Sequence, residues 1–157
     1  MKTKITSVGR ALLGFILALL GFEGCSLIGR AEYGCPHADY KLQGTVTDAK
    51  TKQPVKNIRV VFCSGGLDAE YSYKDTLYTD ESGKIDRDYP SMTIDHTRLQ
   101  VLLEDIDGDE NGSYETQLLE KENLPVKQVK KGDKHWYQGA FTITADAELN
   151  ENIPPLK

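Results

Sequence analysis

The chain has 157 residues, a formal net charge of −5 and 27% charged residues, room for one domain and too little for two ordinary ones. Its acidic balance, with no long run of lysine or arginine, argues against nucleic acid as a partner, since phosphate binding needs a basic patch. The charge is read instead as keeping a domain soluble.

In chain order, Lys2, Lys4 and Arg10 precede an unbroken apolar run, Ala11 to Phe22. A basic segment followed by about a dozen apolar residues has the form of an export signal. The run falls short of the roughly 20 apolar residues needed to span a bilayer. Directly after it, Phe22-Glu23-Gly24-Cys25 places a cysteine one position beyond a small residue. This resembles a bacterial lipobox, which implies that Cys25 carries the lipid and becomes the first residue of the mature chain. Phe22 and Glu23 depart from the usual lipobox residues, and cleavage by another signal peptidase is the alternative. Acylation would tether the protein to a membrane without spanning it. Residues 1–24 carry three basic groups and one acid, so their removal takes the net charge from −5 to −7. Localisation is therefore expected to be export followed by lipid anchoring at the cell envelope, at the outer membrane. If Cys25 is acylated, Cys35 and Cys63 remain as a pair that could form a disulfide in an oxidising compartment. The alternative is a buried Cys63 and an exposed Cys35 thiol.

Residues 25–37 read as a tether, interrupted by Gly34 and Pro36. From Ala38 the texture changes: Tyr40, Leu42, Gly44 and Val46 alternate with Lys41, Gln43, Thr45 and Thr47, the period of two of a half-buried strand. Asp48 to Pro54 is turn-forming. Ile58, Val60 and Phe62 have Val61 and Cys63 opposite them, the two-sided pattern of a central strand. Ala69 to Thr79 is β-prone, with a bulge expected between Tyr73 and Leu77. Thr79 to Lys84 is a tight turn with Gly83 at positive φ, and a short strand resumes at Lys84-Ile85-Asp86. Leu99, Val101 and Leu103 share the face of the next strand, and Tyr114 to Leu119 form a further strand or edge hairpin. Lys121 to Lys134 read as loop, Trp136 to Ala145 as a strand, and residues 148–157 as a disordered tail. The segmentation is a signal peptide over 1–24, a tether over 25–37, a sandwich domain over 38–147 and a tail over 148–157. About seven strands, regularly spaced turns and no convincing amphipathic helix after residue 30 predict an all-β sandwich, transthyretin-like or immunoglobulin-like.

Gly44, Val46, Asp48, Pro54, Ile58, Val60 and Phe62, with the later Thr79-Asp-Glu-Ser-Gly-Lys-Ile85 turn, resemble the first strands of carboxypeptidase regulatory-like domains. That resemblance implies a transthyretin-like sandwich acting as an accessory, not a catalyst, with Gly44 letting the opposing sheet approach. A second resemblance covers most of the mature chain. Tyr33-Gly34, Pro36, Ala38 and Tyr40, then Asp105-Ile-Asp-Gly108 with Asn111-Gly112, look like the lipoproteins of gut Bacteroidetes encoded beside a radical-SAM enzyme. It implies that such an enzyme is a partner, and that the protein is either a finished envelope module or a substrate matured by that enzyme.

One constellation has metal-ligand spacing. From Asp107, oxygen ligands fall at positions 1, 3 and 5 (Asp107, Asp109, Asn111) with Gly112 at 6, as a calcium loop begins; Asp105 lies just upstream. Position 12 is Leu118 where a helical hand has glutamate, so Glu115 or Glu120 would have to close the shell. The alternative is an acidic turn whose side chains cap their own backbone. His37, His96 and His135 are scattered without ligand spacing, which argues against zinc, and no Gly-x-Ser-x-Gly elbow is present. Tyr71, Tyr73, Tyr78 and Tyr89 with Trp136 and Tyr137 are candidates for an aromatic platform, or for core and cross-strand pairs. The resulting expectation is a protein that is not an enzyme and has no cofactor unless the loop takes calcium: a non-catalytic binding or scaffolding module on the envelope. Its partners would be the membrane, through the anchor, and an envelope protein or glycan; a calcium-dependent adhesion module is the further alternative.

Overall fold

The computed structural model describes residue Phe15 and residues 34–108, 110–133 and 135–152. Cys25 and the export signal, Phe15 excepted, lie outside the described residues. No helix among the described residues is long and apolar enough to cross a membrane.

The domain is all-β, built from two sheets. The first contains β1 (His37–Asp48), β4 (Lys84–Met92), β7 (Val126–Lys131), β8 (Tyr137–Thr144) and β9 (Ala147–Leu149); the second contains β2 (Arg59–Ser64), β3 (Tyr73–Tyr78), β5 (Leu99–Glu104) and β6 (Gln117–Glu120). The first is ordered β4-β1-β8-β7 with β9 also paired to β1, and the second β3-β2-β5-β6. The period of two in the sequence decides what each face does. Ala38, Tyr40, Leu42 and Val46 of β1, Ile85 and Tyr89 of β4 and Ile143 of β8 point inward, where they meet Val60, Phe62, Leu77, Leu99, Val101 and Leu103 from the second sheet. Phe62 is fully buried and stacks on Tyr89 with centroids 5.2 Å apart. Burial of such a side chain contributes about 2–3 kcal/mol.

β1 organises the first sheet. β8 runs parallel to its first half, from His37 to Gln43, and β9 runs parallel to its second half, from Val46 to Asp48. Between them the chain crosses Gly44, where Ala145 donates its N–H to the Gln43 carbonyl at 2.8 Å and Asp146 accepts from the Thr45 N–H at 2.9 Å. A Cβ on Gly44 would lie 2.1 Å from the Ala145 carbonyl oxygen. The glycine is therefore required by the neighbouring strand connection of its own sheet, not by the opposing sheet.

The predicted strands at β1, β2, β5 and β8 are present, and β2 is central as its two-sided pattern requires. Four expectations are corrected. β3 pairs with β2 without a register shift, and the irregularities lie instead in β1 and β7. The short strand after Gly83 extends over nine residues, to Met92. Residues 121–134 are not loop throughout, because Val126–Lys131 forms the edge strand β7. The domain also continues past 147: Ala147–Leu149 is β9, with Leu149 buried, and Glu151 bridges to Tyr114.

Candidate functional site

The outer face of the first sheet carries a groove of about 330 Å³, lined by Asp39, Lys41, Asp88, Pro90, Val129, Ala140 and Thr142 among others. Register explains its shape. Asp39, Ala140 and Lys130 form one cross-strand row, and Asp88, Lys41, Thr142 and Lys127 form the next. Ala140 at the centre is small, so the floor sits low. Val129, at the β7 irregularity, and Pro90, beside Ser91 with φ of 56°, stand at the two sides. The walls thus come from edge strands and the floor from a central one.

Asp39 is the best-defined polar group in the groove. The Tyr137 hydroxyl donates to its Oδ2 at 2.8 Å and the Ser91 N–H donates to its Oδ1 at 3.0 Å. The Ser91 N–H first, and the Tyr137 hydroxyl second, hold this carboxyl below the usual carboxylate range, while the same hydrogen bond raises the Tyr137 phenol. Lys130 sits over the Tyr137 ring, 5.6 Å from its centroid. Across the groove Lys41 pairs with Asp86 at 2.9 Å, which raises the Lys41 ammonium. The groove therefore offers one carboxylate fixed by two donors, Asp39, a second carboxylate, Asp88, one paired cation, Lys41, and an apolar floor. Asp39 did not stand out in the sequence as functional, because the donors that fix it lie 52 and 98 positions away; Tyr137 was named only as an aromatic candidate.

Under the groove, on the inner face of the same sheet, Tyr40 stacks on Phe141 with centroids 5.4 Å apart, and His96 Nε2 lies 2.7 Å from the Tyr40 hydroxyl. Burial lowers the His96 pKa and raises that of Tyr40. His37 lies beside Tyr137 at the start of β1, and His135 lies in the turn before β8. The three histidines are not gathered at one point. Among the described residues, no group of three His, Cys, Asp or Glu side chains is placed to hold a metal ion.

The acidic loop is a capped turn. Asp105 accepts from the Asp107 N–H at 3.2 Å and the Tyr114 N–H at 2.9 Å, and Asp107 accepts from the side-chain amides of Asn57, at 2.7 Å, and Asn111. Those amide donors, Asn57 foremost, lower the Asp107 pKa. Asp109 lies outside the described residues. The expected calcium ligands Asp105, Asp107 and Asn111 are thus close together, but with their side chains engaged by protein groups as in the capped-turn alternative.

Cys35 and Cys63 are both free thiols, the second of the two alternatives above. Cys35 is exposed ahead of β1, while Cys63 belongs to the second sheet and is fully buried. Its cross-strand neighbours Gln100 and Lys74 both bond Leu67 of the following loop, Gln100 accepting from the Leu67 N–H at 2.7 Å and Lys74 donating to the Leu67 carbonyl. The aromatic residues do not form one platform either. Tyr89 is core, Tyr71 is 90% exposed in a loop, Tyr78 lies on the second sheet and Tyr137 on the first.

No protein-family model matches the chain, and neither does any curated protein sequence. Solved structures do match. A hydroxyquinol 1,2-dioxygenase from Pseudomonas putida DLL-E4 is 9% identical with a TM-score of 0.48, covering 97% of this chain and 78% of its own. A catechol 1,2-dioxygenase from Pseudomonas arvilla C-1 is 12% identical with a TM-score of 0.47, covering 91% and 70%. The major plantain pollen allergen is 10% identical with a TM-score of 0.43, covering 75% and 99%. These findings correct one expectation. Four of the matching structures are catechol, chlorocatechol or hydroxyquinol dioxygenases, so a sandwich of this kind is no ground for calling the chain a non-catalytic binding or scaffolding module. At such identities and TM-scores their activity is not transferred to this chain.

Proposed function

We propose that the protein is exported, held at the cell envelope by acyl chains on Cys25, and recognises a small flat molecule bearing an amine in the groove between Val129 and Pro90. The anchor is supported by the Lys2–Arg10 segment, the apolar run and the position of Cys25. The observation that carries the recognition is Asp39: its carboxylate is ionised and fixed in place by Ser91 and Tyr137 at the edge of an apolar floor. A preset anion beside a low apolar surface favours a cationic group attached to a ring. The shape is that of a small-molecule site.

Calorimetric titration with a panel of aromatic amines and their neutral isosteres tests this reading. Amines are expected to bind and the isosteres to bind at least tenfold more weakly, with Asp39→Asn abolishing the difference and Ala140→Leu filling the floor. Equal binding of amines and isosteres, or unaltered binding by Asp39→Asn, defeats it. For the anchor, intact mass of the mature protein should show a diacylglyceryl group on Cys25, and Cys25→Ser should release the protein from membranes.

A further inference from the structure

We propose that the exposed edge formed by Lys127, Lys130 and Lys131, with Val129 and Trp136, is the face that the domain lays against an anionic lipid surface. The inference rests on the envelope tether proposed above, and the edge shares Val129 with the groove. β7 reads Val-Lys-Gln-Val-Lys-Lys, carries three lysines and no acid, and is exposed along nearly its whole length. Lysines on an edge strand also block pairing with other chains, so charge alone does not separate the two roles. Three further observations do. Val129, between the lysines, is 60% exposed, an apolar side chain that edge protection does not need. Lys130 and Lys131 run to the end of the sheet where β8 begins, beside half-buried Trp136, the single tryptophan of the chain. Tryptophan and lysine are both suited to the boundary between headgroups and acyl chains.

The third observation is where the tether meets the domain. β1 starts at the Lys131 and Trp136 end, so the tether joins the domain there; eleven residues separate Cys25 from His37, a span of at most about 40 Å when extended. Asp133 and Asp39 lie at this end, Asp39 already bonded to Tyr137, as does Asp95 in the segment whose Thr93 hydroxyl donates to the Pro36 carbonyl. The opposite end mixes Asp80, Glu81, Asp107, Glu110, Asp146 and Glu148 with Lys50, Lys52, Lys56 and Lys84, Glu148 being paired with Lys52. The attraction to a negatively charged membrane is therefore that of the Lys127–Lys131 edge. Each lysine near an anionic surface raises the docked population about fivefold, so three together act on the order of a hundredfold.

The test uses the full mature protein in vesicles of phosphatidylcholine alone or with about a third phosphatidylglycerol, the acyl chains brominated to quench Trp136. Quenching is expected with phosphatidylglycerol only, to fade at 1 M salt, and to disappear in Lys127→Gln/Lys130→Gln/Lys131→Gln, whereas Lys56→Gln at the other end retains it. Equal quenching in both vesicles, or none in either, overturns the proposal and leaves the lysines as edge protection. Failure of the tether is seen separately, as a mature mass without acyl chains on Cys25.

Discussion

The turns at the Asp48 end of the sandwich and the groove on its outer face both collect carboxylates, but those carboxylates find their partners at different distances along the chain. Asp48 accepts from the N–H groups of Lys50 at 2.8 Å and Thr51 at 2.6 Å, and from the Thr51 hydroxyl at 3.0 Å. Asp80 accepts from the N–H groups of Ser82 and Lys84, and Asp105 from those of Asp107 and Tyr114. These groups shape their own loops. Asp39 instead accepts from Ser91 and Tyr137, on two different strands, and faces a groove. A carboxylate held by its neighbours builds a turn, whereas one held by remote strands is available to a ligand on its remaining lone pairs.

The largest expected effect comes from the strand that both regions share. Gly44→Val drives a side chain into the Ala145 carbonyl, and the crossing between β8 and β9 opens; a loss of about 3 kcal/mol in urea unfolding is expected, with the groove and the Asp48 turn lost together. Next, Asp48→Ala removes a buried acceptor from three donors in one turn. The thermal midpoint should fall by several degrees while amine binding at Asp39 is retained, which separates the two regions. Tyr137→Phe makes the reverse cut. It removes one of two donors to a half-buried surface carboxylate, so stability should change little, while the Asp39 resonance followed by NMR titrates at higher pH and amine affinity drops several-fold.

The smallest effect is one of pH. Asp95 accepts from the Thr97 hydroxyl at 2.6 Å and from Arg98 at 3.0 Å, and these bonds bring its carboxyl down to about 2. The pKa is depressed in the folded chain, so the contribution to stability is full above the unfolded value of about 4 and is lost as the pH falls through about 2. Urea midpoints measured from pH 6 to pH 2 should show Asp95→Asn less stable than the parent at pH 6, with the gap narrowing as the pH falls toward 2. A gap that does not narrow would assign the difference to packing.

Legibility followed local pattern. β2 was readable because Ile58 to Cys63 is apolar on both sides, and the Asp80 turn because Gly83, at φ of 70°, sits where a tight turn needs it. β7 was not readable: Val126 and Val129 are three apart, with the register shift between Gln128 and Lys130, and an edge strand exposed to solvent has no buried face to impose a period of two. β9 is three residues long, too short for any period.

By itself the sequence determined an all-β sandwich, the two-sided burial of β2, the turns and the acidic surface, because alternation, glycine placement and Asx capping act over a few residues. Only the tertiary structure decided that Gly44 serves the Ala145 crossing, that Cys35 and Cys63 stay apart, that Asp39 meets Ser91 and Tyr137, and that lysines of a supposed loop line a sheet edge. Each of these depends on which strands become neighbours, and strand pairing is set by the packing of the whole core, not by any one segment.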